Sequence, residues 1–170
     1  MKLKDNIFTT LLLAIGLILH QFTPGILGGM KFDFLLIFMF ASLLLNSKFD
    51  NVILTALLGG FLSAMTTTFP GGQIPNIIDK MVTCLSMYFV INYIKKYNLN
   101  IITVGIIGAI GTFISGMTFL TSALLITGLP MPMAVLVTGI VIPTVIVNTI
   151  SIVFVYKALK IAVQRSGIVI

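Results

Sequence analysis

Four charged residues in two tight pairs, Lys31 with Asp33 and Asp79 with Lys80, form the set best suited to a charged ligand. Each pair follows a Gly-Gly element, Gly28-Gly29 or Gly71-Gly72, and is expected where a helix begins. Helical neighbours one or two apart point in different directions, which favours pairing between segments, or with a ligand, over pairing within each pair. Two cations and two anions beside an apolar cavity suit a zwitterion, whose carboxylate and ammonium both need partners once water is stripped away. A structural reading competes. Asn76-Ile77-Ile78-Asp79 has capping-box spacing, and an acid in a first turn complements the helix dipole. Lys31 and Lys80 could also snorkel to the interface, and His20, the one histidine, could be a packing residue.

Other chemistry is absent from the pattern. The sequence has no glutamate, no His-Glu-x-x-His and no Gly-x-x-x-x-Gly-Lys-Ser/Thr loop, so no catalytic residue, metal site, cofactor or P-loop is predicted. ATP-driven work would need the nucleotide on another subunit. The lone Cys84 lies in an apolar run and is read as an inert buried thiol. Every aspartate is placed near a span end, Asp5 and Asp50 on one side and Asp33 and Asp79 on the other. That weakens a proton-coupled carrier, which keeps ionisable groups inside the membrane, but leaves sodium coupling through carbonyl oxygens open.

The elements that must position these residues are membrane helices. Of 170 residues, 58% are hydrophobic and 8% charged, where a soluble domain is about a quarter charged. Charges and Pro/Gly breaks divide residues 1–170 into one all-α membrane domain with spans at about 7–23, 31–46, 51–69, 75–95, 101–127 and 133–157. The fifth is interrupted by Thr and Gly, and its alternative is a span ending near Phe119 followed by a re-entrant stretch. Pro143 is expected to kink the sixth. The apolar run after Lys2 and Lys4 lacks a small-x-small cleavage site and is read as a retained first helix.

Charge placement sets the orientation. With the N-terminus inside, Lys2, Lys4, Lys48, Lys95, Lys96, Lys157, Lys160 and Arg165 lie on the cytoplasmic side, against Lys31 and Lys80 outside. Eight against two follows the positive-inside rule, so both termini are expected in the cytoplasm. Lysines spread over span ends form no basic stripe, which argues for a lipid bilayer and against nucleic acid as partner. The outer loops at 23–30, 69–75 and 128–133 are apolar and rich in Pro and Gly, as a packed wall of a pocket would be. Gly105, Gly108, Gly111 and Ser115 recur along the fifth span and are assigned to helix contacts within the bundle.

At Gly28-Gly29-Met30-Lys31-Phe32-Asp33, and most specifically from Phe69 through Pro70, Gly71, Gly72, Gln73 and Asn76 to Asp79-Lys80, the chain resembles the tryptophan transporter family TrpP. The likeness runs the whole length, with Phe32 where that family usually has proline. The family in turn looks like the substrate-binding S components of energy-coupling factor (ECF) transporters, six-helix proteins with cytoplasmic termini. The resemblance implies capture of L-tryptophan on the outer side and import with an ECF scaffold protein and two ATPase subunits. It also implies scaffold contact through small residues of the first helix, for which Thr10-xxx-Ala14 is an imperfect match, with Gly16 close by. The chain contains no tryptophan, which a protein needed during tryptophan shortage would favour, although chance suffices.

The expected substrate site is therefore Lys31 or Lys80 for the carboxylate and Asp33 or Asp79 for the ammonium. Phe69 and Met30 are candidate walls, Gly71 and Gly72 shape the loop, and Gln73, Asn76 or His20 is the acceptor for the indole N–H. Two alternatives stand beside this reading, a solitary ion-coupled amino-acid carrier and a non-transporting membrane scaffold protein.

Overall fold

In lipid an apolar chain can satisfy its backbone only within helices or a closed barrel. A computed structural model of the chain, which describes residues 3–96 and 99–165, takes the helical solution, with no strand among the described residues. Lys2 and the Tyr97-Asn98 part of an inner connection lie outside them, as do the side chains of Lys4, Asp5 and Arg165. The order is α1 (Leu3–Phe22), a 3-10 turn (Leu27–Gly29), α2 (Phe34–Leu45), α3 (Phe49–Met65), α4 (Gln73–Lys95) and α5 (Ile101–Ile126). A sixth passage joins α6 (Met133–Leu136), a π-helical turn (Val137–Val141) and α7 (Ile142–Arg165) in one rod. Leu27–Leu45, Gln73–Lys95, Ile101–Ile126 and Met133–Val163 are each long and apolar enough to cross a bilayer. The chain is an all-α membrane protein.

Helix α2 is the hub. Every residue from Leu35 to Leu44 is buried. A helix apolar all round needs neighbours all round, and α2 touches α1, α3, α4, α5 and α7. At the lysine-rich end, Thr9, Ser42 and Asn51 fasten α1, α2 and α3 through buried hydrogen bonds of 2.6 Å from Thr9 to Asn51 and 2.9 Å between Thr9 and Ser42.

Helix starts differ from the predicted ones, with consequences for the site. Helix α2 begins only at Phe34, because the Asp33 carboxylate accepts the Leu36 N–H at 3.2 Å as its N-cap. Helix α4 begins at Gln73, two residues before Pro75. Proline is tolerated in a first turn, where no N–H is required. Asn76 and Asp79 thus lie inside α4, and the predicted capping box is not there. The capping box the structure does contain is Asn100 with Thr103 on α5. Helix α5 runs unbroken to Ile126 with no re-entrant stretch, and hydroxyls such as Ser122 bond back to the preceding turn. Pro143 acts through a π turn. It offers no N–H to the Gly139 carbonyl, and the Ile142 N–H reaches back five residues to Val137.

The small residues of α5 do make contacts within the bundle. A Cβ on Gly111 would lie 2.3 Å from the Phe40 ring, while one on Gly105 would meet nothing closer than 3.7 Å. Gly111→Ala should therefore cost about 1–3 kcal/mol through overpacking. Gly105→Ala should be neutral or stabilise by up to about 1 kcal/mol through helix propensity. Thermal unfolding in detergent should show a clear drop for the first variant and none for the second.

Candidate functional site

The cavity opens between the Gly/Pro-rich loops and the N-terminus of α2. The space it encloses is about 570 Å³ with its open mouth included. Met30, Lys31, Asp33 and Leu36 line it, with His20 of α1. The α3–α4 loop adds Thr67, Thr68 and Phe69, and α4 adds Asn76 and Asp79. Helix α5 presents Thr112, Ser115, Gly116 and Phe119, and the sixth passage presents Ile140, Val141 and Thr144.

The charges at its base form a network. Lys80 is 1% exposed, and its ammonium donates to the Asp33 carboxylate, to Asp79 at 2.5 Å and to Ser115 at 3.3 Å. Pairing between segments thus occurs, but so does the neighbour pairing with Asp79 that helix geometry disfavours, because the flexible lysine stem bends back. Asp79 also accepts from Ser115 and Thr83, both at 2.9 Å. Lys80 neither snorkels nor stands at a helix start. It lies seven residues past Gln73, about 10 Å into α4 at 1.5 Å per residue. The expectation that every aspartate sits at a span end fails for Asp79 for the same reason. Two carboxylates share one lysine beside the cavity, a formal charge of −1 when both are ionised.

Lys31 has a different environment. Its ammonium donates to the His20 carbonyl at 2.8 Å and the Thr66 carbonyl at 2.7 Å, the C-terminal ends of α1 and α3. A cation at two helix C-termini complements both dipoles. A lysine has three N–H donors, so one remains for another acceptor. His20 bonds Thr66 at 2.8 Å through Nδ1 and stands 3.8 Å from Asp33 through Nε2. Asn76 accepts from Ser63 at 2.7 Å and donates to the Gly72 carbonyl at 2.8 Å.

Of the sequence-predicted site residues, His20, Met30, Lys31, Asp33, Phe69, Asn76 and Asp79 line the cavity, and Lys80 lies just behind its wall. Gly71, Gly72 and Gln73 do not. Gly71 turns the loop at φ +70° against Thr127, Gly72 caps α4, and Gln73 is exposed. Thr10 and Ala14 are exposed on α1, but Gly16 faces inward, where a Cβ would lie 2.9 Å from Leu35. Sequence reasoning missed the face of α5, although Thr112, Ser115, Gly116 and Phe119 share helical spacing. Phe119 is buried and meets Phe69 edge to face, with centroids 5.2 Å apart. Ile140, Val141 and Thr144 gave no signal, because their placement depends on the π turn.

A helical multi-pass bundle with ionisable side chains buried beside a cavity has the features of a membrane protein that handles a polar solute. The chain matches the family described as tryptophan transporter TrpP over residues 2–164. It is 40% identical to a "Probable tryptophan transport protein" of Bacillus subtilis over 167 residues, covering 98% of this chain and 96% of the other. It is 42% identical to a protein of the same description from Clostridium acetobutylicum over 160 residues, 94% of each chain. No solved structure matches it. The chain belongs to the TrpP tryptophan transporter family and is a multi-pass protein of the cell membrane.

The triad predicts an asymmetric response to mutation. Removing one partner of a buried ion pair costs about 3–5 kcal/mol, because the other charge is left unpaired. Lys80→Met should therefore deplete folded protein, and adding Asp33→Asn and Asp79→Asn should restore much of it. Yield and melting temperature in detergent measure this; a Lys80→Met protein as stable as the parent would contradict the network.

Proposed function

We propose that the chain captures L-tryptophan at the outer face of the membrane for uptake. The observation that carries this reading is the mixed lining of the cavity. It combines the spare N–H of Lys31 and the carboxylates of the Asp33–Lys80–Asp79 triad with the apolar cluster of Phe69, Phe119 and Met30. In this reading Lys31 holds the substrate carboxylate, and Asp33 or Asp79 holds its ammonium. Lys80 has no donor to spare and sets the position of both acids. Asn76 or His20 accepts the indole N–H, and the lysine asymmetry supports an outer-side cavity. The names of the relatives support tryptophan as the substrate.

The chain catalyses no covalent step in this proposal. A separate ECF scaffold protein with two ATPase subunits supplies the energy, and the exposed Thr10 and Ala14 of α1 suit contact with the scaffold. One observation favours a second reading: carboxylates buried at depth, as at Asp79, are also what an ion-coupled carrier keeps in the membrane. Reconstitution separates the two, through uptake that needs the ATPase module or uptake under an ion gradient alone.

Binding is directly measurable because the chain has no tryptophan of its own. Bound L-tryptophan excited beyond tyrosine absorption should emit with a saturable blue shift, and absence of that shift would sink the assignment. Lys31→Met should weaken L-tryptophan about ten- to a hundred-fold, from a lost charged hydrogen bond of roughly 1.5–3 kcal/mol. The same variant should barely change affinity for tryptamine, which has no carboxylate.

A further inference from the structure

We propose that Nε2 of His20 and the Asp33 carboxylate form a two-acceptor bracket for the ammonium of the bound amino acid. The proposal rests on the reading of the cavity as a tryptophan site and deepens it, by moving His20 from the ligand's ring to its amino group. Both residues line the cavity, and His20 is buried.

The bonding around His20 fixes its tautomer. Nδ1 lies 2.8 Å from the Thr66 hydroxyl. That hydroxyl has one proton, which it donates to the Leu62 carbonyl at 2.8 Å. Nδ1 must therefore be the donor to Thr66, and a neutral imidazole has only one N–H. Nε2 is left as a bare acceptor, 3.8 Å from Oδ1 of Asp33. An N–H at Nε2 would close on that carboxylate, whereas 3.8 Å is too long for a hydrogen bond. Two acceptors facing each other at this separation call for a donor between them. A nitrogen about 2.9 Å from each would reach both, and an ammonium has the protons and the charge. Lys80 does not fill the place, because it donates to Oδ2 of Asp33, to Asp79 and to Ser115.

The bracket is tied to Lys31. Its ammonium donates to the backbone carbonyls of His20 and Thr66, the two residues whose side chains bond each other. A partner for a carboxylate and a partner for an ammonium thus share one frame, which suits an α-amino acid, whose two charged groups sit on one carbon.

The chain has a single histidine, so nitrogen-15 labelling of histidine reports on this ring alone. Spectra of the purified full-length protein should show a protonated Nδ1 and a bare Nε2. Saturating L-tryptophan should move Nε2 toward hydrogen-bonded shifts without protonating it. An Nε2–H tautomer, or an Nε2 that tryptophan leaves unmoved, would overturn the bracket, and this readout needs no variant. His20→Leu should weaken L-tryptophan about ten-fold or more, the usual size for a hydrogen bond to a charged group. It should weaken benzothienyl-L-alanine, in which sulfur replaces the indole N–H, by the same factor. His20→Gln, whose amide oxygen reaches the place of Nε2, should recover most of both. A loss confined to L-tryptophan would mean that His20 reads the indole N–H, and a loss that Gln does not repair would leave it a packing residue; either result overturns the bracket. If the parent protein binds no L-tryptophan, the reading of the site fails and the bracket with it. If the parent binds and the Nε2 shift is missing, the bracket alone fails.

Discussion

The ammonium of Lys80, shut off from solvent, holds the carboxylates of Asp33 and Asp79 together. Charges taken out of water are tolerated only when paired and hydrogen-bonded, so three elements must meet at one point. Helix α4 brings Asp79 and Lys80, the N-cap of α2 brings Asp33, and α5 brings Ser115. Asn148 of α7 donates to the Asp33 backbone carbonyl at 3.1 Å and ties the sixth passage to the same place. One lysine serves two acids, and both acids line the cavity. The feature that fixes the bundle thus also puts carboxylates beside the cavity, where the proposed reading needs a partner for a ligand ammonium.

The cavity exists because α2 is short. Asp33 caps it level with a residue two turns inside α4, and the chain from Thr23 to Lys31 descends to meet that point. The space that a further turn or two of α2 would fill is left open and roofed by loops. Lys31 caps α1 and α3 by donating to the His20 and Thr66 carbonyls, the first of which also accepts the Thr23 N–H. A ligand carboxylate at Lys31 would complete the ammonium's hydrogen bonding rather than displace those carbonyls.

Much of this was legible in the sequence, for physical reasons that differ by region. Charges and Pro/Gly breaks mark helix ends in lipid, so the six helical passages follow from composition. Gly108 and Gly111 pack inside the bundle as their spacing implied, against Ile152 and Phe40. The depth of Asp79 was not legible, because Pro75 looks like a helix boundary until first-turn tolerance is taken into account. The Gly71-Gly72-Gln73 run is specific as a pattern yet serves a loop turn and a helix start, away from the cavity. Phe119, Gly116 and Val141 could not be assigned from spacing alone. Whether a helix face meets lipid or cavity depends on its neighbours, and the π turn rotates the sixth passage in a way that Pro143 signals only as a break.

The central claim is that one buried acid–lysine–acid triad and Lys31 grip the two charges of an amino acid while an aromatic wall takes its ring. A structure of the protein with L-tryptophan bound tests it most directly. The account predicts the ammonium within hydrogen-bonding distance of Asp33 or Asp79, the carboxylate at Lys31, and the indole among Phe69, Phe119 and Val141. Ligand bound instead at the opposite end beside Lys48 and Lys95, or lying inverted with its ring against the carboxylates, would contradict it.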